Sequence, residues 1–228
     1  MNRTIIGTSI IAAGLALCGL FVELGIHQLA NKDRAVTVKG LSTRDVQADH
    51  VVWPLSFSIS GNNLPAINSE LVRTQTAIVD FLVQKGFAAE DIQIGSSSVN
   101  DNWANYYDHR PDNHYTLTAS VVISTDDVKL VVANQRCLSE LLNKGIILNS
   151  TDWAIDYQYN GLNELKPQMI EEATKNARAV AQKFADDARC RLGSIRRANQ
   201  GQFSVESDQN KPWVKHVRVV TTVDYYLN

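Results

Sequence analysis

KPQMIEEATKNARAVAQKFADDARCRLG, residues 166–193, decides the fold. Its apolar residues Ile170, Ala173, Ala177, Val180, Ala181, Phe184 and Ala188 recur at steps of three and four, which lines one side of a 3.6-residue helix. Alanine fills most of these positions and Phe184 is the one large ring. The helix axis can therefore approach its partner closely, and a β-sheet surface suits that role. Both ends carry signals. Asn163 suits the N-cap, Pro167 falls in the first turns, Glu171 and Glu172 come early, and Arg189 and Arg191 precede Gly193 as a left-handed stop. Glu172, Lys175, Arg178, Lys183 and Asp186 read as a solvated face with ion pairs three and four residues apart, in preference to a binding surface.

Working outward, Trp153, Ile155, Tyr157 and Tyr159 alternate as a strand leading into this helix. Before it, Thr125 and the two aspartates that follow start a helix over residues 126–143, ended by Gly145. Residues 114–124 alternate again, with Tyr115, Leu117, Ala119, Val121 and Ile123 facing inward, and residues 91–103 form a strand that becomes polar. NYYDHRPDNH, residues 105–114, joins the two as a hairpin connection marked by Pro111, Asp112 and Asn113.

Further back, a helix over residues 65–85 sets Ile67, Leu71, Ile78 and Leu82 on one face and stops at Gly86. The strand ahead of it carries Val51, Trp53, Leu55, Phe57 and Ile59 on one side and Ser56, Ser58 and Ser60 on the other. Pro54 lacks an amide hydrogen and marks an edge or a bulge. A short strand over residues 36–39 ends at Gly40. Beyond Gly193, residues 195–205 and 216–227 close the chain as strands, the second with Val217, Val219, Thr221, Val223, Tyr225 and Leu227 on one face. Hairpins mixed with single crossovers predict an α+β fold, a largely antiparallel sheet with helices packed on one face. The other face, rich in Ser, Thr, Gln and Tyr, meets water or another copy.

The 228 residues suit one domain of about 200 residues with a terminal extension, and no linker supports a second domain. Apolar residues make up 44% and charged residues 20%, ordinary values for a chain with a real core. The net charge is -2 and stays so without residues 1–30, because Arg3 and Glu23 leave together. No basic stripe is present, which sets nucleic acid aside as a partner.

Residues 5–22, IIGTSIIAAGLALCGLFV, open on Ile5, close on Val22 and contain no charge. With the apolar residues that follow, the run is long enough to span a bilayer, which takes roughly 20 residues. A cleaved signal peptide, a lipoprotein signal and an uncleaved anchor compete. Cleavage finds no good pair of small residues between Glu23 and Ala30, and Leu17 ahead of Cys18 argues against lipidation. The expectation is a transmembrane helix over residues 1–30 in the inner membrane, with the N-terminus cytoplasmic and residues 31–228 periplasmic. The alternative is a cleaved, periplasmic body. Thr8, Ala12 and Ala16 are spaced by four, as are Gly14 and Cys18, a spacing that lets membrane helices touch.

VTVKG at residues 36–40, ADHVVWPLSFSISG at 48–61, VQKGFAAEDIQ at 83–93, YTLTASVVISTDDVKLV at 115–131 and EEATKNARAVAQKFADDARCRLGSI at 171–195 stand in this order and spacing. Together they resemble the SIMPL domain family of exported bacterial envelope proteins, over residues 35–227. The resemblance implies an α+β envelope protein that forms large homo-oligomers, with links to stress protection or surface immunogenicity. It implies no agreed activity, cofactor or catalytic residue. An uncleaved anchor, and the presence of Cys137 and Cys190, depart from the family pattern.

Several groupings could still carry chemistry. Cys137 and Cys190 would either pair, in an oxidising periplasm, or lie separately buried. Asp108, His109, Asp112 and His114 form the densest set of possible metal ligands, although a polar surface loop supplies the same composition. Trp103, Tyr106, Tyr107 and Tyr115 crowd the same hairpin, where they suit a contact between copies or cover the edge of their own sheet. No nucleophile elbow, phosphate loop, dinucleotide fingerprint or paired-histidine zinc helix occurs, and Ser96, Ser97 and Ser98 have no evident base. The reading is a non-enzymatic, membrane-anchored, self-assembling envelope protein without cofactor. The alternative is a periplasmic module that binds a metal or small ligand, or is catalytic, at the tip of the hairpin over residues 106–115.

Overall fold

Val51, Trp53, Leu55 and Phe57 alternate with smaller side chains and are all buried, so this segment presents one face of a strand to a core. The computed structural model describes Gly14, Cys18, Gly19 and residues 21–23, 34–104, 111–149 and 154–228. The elements run β1 (Ala35–Gln47), β2 (His50–Gly61), α1 (Leu64–Gln84), β3 (Ile92–Asp101), β4 (Tyr115–Thr125), α2 (Val128–Asn134), α3 (Ser139–Asn143), β5 (Asp156–Gln158), α4 (Leu162–Asp187), β6 (Leu192–Gln200), β7 (Ser204–Ser207) and β8 (Val214–Leu227). The fold is α+β, and the pairings β2–β4, β2–β5, β3–β4 and β6–β8 are antiparallel. Where the sequence reading has one sheet, the strands divide between two four-stranded sheets. Alternation fixes which residues share a face of a strand but not which strand lies beside it.

The chain forms two compact units. Unit one takes Met1–Arg44, Glu164–Val205 and Val217–Asn228, and unit two takes Asp45–Asn163 and Glu206–His216.

In unit two the sheet order is β3-β4-β2-β5. Leu117, Ala119, Val121 and Ile123 of β4 join the buried residues of β2, and Ile67, Leu71, Ile78 and Leu82 of α1 close over them as the periodicity predicts. Phe81 adds a ring to that core. Asn63 caps α1 by accepting from the Ala66 amide, Pro65 stands in the first turn, and Gly86 takes φ +96° at the stop. Among the described residues none pairs with Pro54 on the β5 side of β2. β5 pairs only with residues His50 to Val52, and the Ser56 carbonyl on that side accepts from Asn149 beyond the strands. The helix expected over residues 126–143 is interrupted: α2 ends at Asn134, a 3₁₀ turn covers Gln135–Leu138, and α3 completes the segment. Asp127 caps α2 through the Leu130 amide.

In unit one the sheet order is β1-β8-β6, with β7 also paired to β8. The buried stripe of α4 is Met169, Ala173, Ala177, Ala181 and Ala185, every fourth residue. Phe184 is 55% exposed and Val180 also faces outward, so the one large ring assigned to the stripe lies off it. The alanines pack on β1 and β8, with Ala177 and Ala181 against Val38, Val223 and Tyr225. β1 does not end at Gly40 but continues to Gln47, with Val38, Gly40 and Ser42 all buried. α4 begins at Leu162, so Asn163 lies inside its first turn and Pro167 within the helix. The left-handed residue after it is Arg189 (φ 54°), while Gly193 belongs to β6. The last strand keeps its expected face, with Val217, Val219, Thr221, Val223 and Tyr225 buried.

Among the described residues no helix is long and apolar enough to cross a membrane. Ile5, Ala12 and Ala16 of the expected span lie outside the described residues, and Val22 is helical and exposed.

Candidate functional site

The hairpin singled out in the sequence is held at its base by side chains from three segments. Trp103, His114 and Tyr115 stack in series, with ring centroids 3.9 and 3.8 Å apart. Trp103 Nε1 donates to the Pro111 carbonyl (2.9 Å), and His114 Nε2 lies 3.2 Å from Asp101 Oδ1. Asn62 accepts from the His114 amide and donates to the Asp112 carbonyl. Trp103 and Tyr115 thus pack against their own hairpin. Tyr106, Tyr107, Asp108 and His109 lie outside the described residues. Asp112 takes part through its carbonyl, and among the described residues no group of three or more His, Cys, Asp and Glu side chains gathers as metal ligands would.

Cys137 belongs to unit two and Cys190 to unit one, and each stands as a free thiol, partly buried in its own unit. Each is occupied locally. Cys137 packs against the core of unit two, and Cys190 of unit one donates to the Ala188 carbonyl (3.4 Å).

Among the described residues β3 forms one edge of the unit-two sheet and pairs with β4 alone. Its residues are mostly exposed, including Ile94 (65%) and Val99 (58%). A register shift between Ile94 and Ser97 bends it. From Ile92 to Asn100 it carries no charge and no proline, two of the devices that keep an edge from pairing with another chain, and the register shift is the one such device present. β6, at an edge of the unit-one sheet, carries Arg196 and Arg197, and β1 carries Lys39, Arg44 and Asp45.

The outward face of the unit-two sheet bears hydroxyl pairs, Ser58 with Thr118 (3.0 Å) and Ser60 with Thr116 (2.9 Å). At its other end His50 Nδ1 lies 2.7 Å from Asp126 Oδ1 and Nε2 lies 3.1 Å from Ser124 Oγ. Nothing in the sequence pointed to this grouping. β2 and β4 are not consecutive, so no tight turn fixes their register, and only the observed pairing of Val52 with Ser124 places His50 across from Asp126.

Two further polar features lie elsewhere. His216 is held between Asp45 (2.6 Å) and Asp208 (3.4 Å), and the bond to Asp45, then that to Asp208, raises its pKa. Lys215 is buried and donates to Ser207 (2.7 Å); burial lowers its pKa and nearby Asp156 opposes the effect. In unit one Thr174, Lys175 and Arg178 of α4 face Ser194 and Ile195 of β6 and Tyr225 of β8 across a shallow pocket of about 300 Å³. Glu171 already binds Lys175 there, at 2.6 Å.

Compared with known proteins, the chain matches a family model described as SIMPL, "Protein of unknown function (DUF541)", over residues 36–220. No curated protein matches it. That match spans most of the chain and agrees with the motifs quoted from its strands and from α4, so the chain belongs to the SIMPL family.

Proposed function

We propose that this is a membrane-anchored envelope protein whose exported body joins copies of itself into a large homo-oligomer, a ring or cage. Residues 1–30 hold it in the inner membrane with the N-terminus in the cytoplasm and the body in the periplasm. The observation that carries the reading is β3. A ten-residue edge strand that exposes Ile94 and Val99 and lacks any guarding charge before Asp101 is a surface on which a second chain can add main-chain hydrogen bonds. If that edge pairs with a non-equivalent edge of the next copy, the contact repeats head to tail and closes into a ring. Anchors in one membrane would raise the effective concentration of the bodies, so that a weak edge contact suffices. The physiological role the resemblance suggests is envelope stress protection.

Electron microscopy of the full-length protein extracted in mild detergent tests this reading. Particles built from repeated subunits are expected. A field without assemblies, at concentrations where the membrane holds the protein intact, would refute it.

A further inference from the structure

We propose that Ser124, His50 and Asp126 form an acyl-transfer centre that hydrolyses small, uncharged carboxylic esters. The centre lies within unit two and does not depend on self-assembly.

Strand geometry creates the arrangement. Val52 pairs with Ser124 and Val51 with Thr125, so two positions beyond Val52 and Ser124, just past the last pair of the antiparallel ladder, His50 comes across from Asp126. Side chains two residues apart share a face, which brings His50, Ser124 and Asp126 together on the outward side. His50 is the bridge, 2.7 Å from Asp126 through Nδ1 and 3.1 Å from Ser124 through Nε2. Both distances fall within the reach required of a nucleophile, its base and the group that orients the base. The His50 side chain is 23% exposed, sheltered enough to hold one orientation yet open to a ligand, while Asp126 is 88% exposed.

Substrate class follows from the neighbours. Val52 lies opposite Ser124 and Pro54 opposite Val122, all half-buried on this face, and they make a short apolar platform beside the hydroxyl. Across β2, Asp156 stands opposite Val52 and Gln158 opposite His50, with Gln158 Nε2 donating to Asp156 (2.6 Å). Two carboxylates, Asp126 and Asp156, therefore flank the platform and disfavour anionic ligands. An uncharged ester with a short apolar acyl group fits.

In the reaction His50 Nε2 takes the proton of Ser124 Oγ as Oγ bonds to the ester carbonyl carbon. The tetrahedral adduct collapses, the ester C–O bond breaks, and the leaving alcohol takes the proton back from Nε2. Water then repeats the sequence: it gives a proton to Nε2, bonds to the acyl carbon and releases Ser124 Oγ, which recovers that proton. Ester and water become acid and alcohol, without oxidant or reductant. Asp126 is a positioning residue that accepts from Nδ1–H and keeps the Nε2 lone pair toward Ser124. On an open face the carbonyl oxygen takes its donors from solvent, so the acceleration is the general-base share alone, about 100-fold.

The test compares the full chain in mild detergent with Ser124→Ala, His50→Ala and Asp126→Asn, using p-nitrophenyl acetate as substrate and a fluorophosphonate as label. Wild type should turn the ester over about 100-fold faster than His50→Ala, which loses the general base, and faster than Ser124→Ala, whose remaining turnover is the background from His50 acting alone. The fluorophosphonate should add its mass to the peptide containing Ser124, and Asp126→Asn should lower kcat with KM unchanged. Equal turnover by wild type and Ser124→Ala, or an unlabelled Ser124, would overturn the proposal. Since Ser124→Ala removes one half-buried hydroxyl, it keeps the test decisive even if His50→Ala fails to fold.

Discussion

Gly40 lies so close to Ala173 that a Cβ at position 40 would stand 1.8 Å from the Ala173 carbonyl oxygen, and 2.5 Å from the Ala177 amide nitrogen. Strand and helix meet backbone to backbone here, which only a glycine on one side and alanines on the other allow. Asn176 adds a bond from its side chain to the Leu41 carbonyl, and Ser42 donates to Glu172.

Gly40→Ala should therefore destabilise unit one by about 3 kcal/mol or more, since main-chain atoms cannot turn aside as a side chain could. The melting temperature should fall by roughly 6 to 12 °C. Ala173→Gly, added as a second change, should not rescue it, because the clash is with main-chain atoms. A Gly40→Ala protein that melts with wild type would show that the helix does not rest on this strand.

Thr221 offers the opposite case. Its hydroxyl is buried on the inner face of β8 with no hydrogen-bond partner among the described residues. Thr221→Val keeps the shape and removes the orphaned group, and should stabilise by about 1 kcal/mol in a urea titration. A loss of stability would mean that the hydroxyl has a partner.

His216 makes stability depend on pH. Asp45 and then Asp208 raise its pKa above the ordinary 6.5, so its contribution is complete below about 6.5 and is lost as pH rises through the folded-state value. Asp208 has the reverse sign. The Lys211 and Asn210 amides, followed by His216, lower its pKa below 3.8, so its contribution is present above about 3.8 and lost as pH falls through the folded-state value. The urea midpoint should drop as pH rises above about 6.5 in wild type, and His216→Asn should flatten that decline. An unchanged slope in the variant would remove His216 from the account.

Much of the fold was legible because periodicity reports burial directly. Ile67, Leu71, Ile78 and Leu82, with Val51, Trp53, Leu55 and Phe57 of β2, Leu117, Ala119, Val121 and Ile123 of β4, and Val217, Val219, Thr221, Val223 and Tyr225 of β8, are buried as assigned, while Leu227 at the end of β8 is only half-buried. What failed has identifiable causes. Gly40 reads as a stop, since an isolated glycine in a strand signals either an end or a close approach, and only the helix above it decides. Phe184 was drawn into the stripe by its size, whereas the tight contact selects Ala185 beside it. Arg189 takes the left-handed position that the sequence assigns to Gly193. The grouping of His50, Ser124 and Asp126 depends on a register between strands 54 residues or more apart in sequence, for which no local pattern exists.

The uncharged edge of β3 bears most directly on the proposed self-assembly, and the molar mass of the full-length protein in mild detergent, measured by light scattering beside an Ile94→Lys, Val99→Lys double variant, tests it. Wild type should give many times the 25.3 kDa of one chain after subtraction of detergent, and the double variant, with lysines on the edge, should fall toward a single chain while keeping its melting temperature. A wild-type mass of one chain would contradict self-assembly, and an undiminished mass in the double variant would remove β3 as the contact.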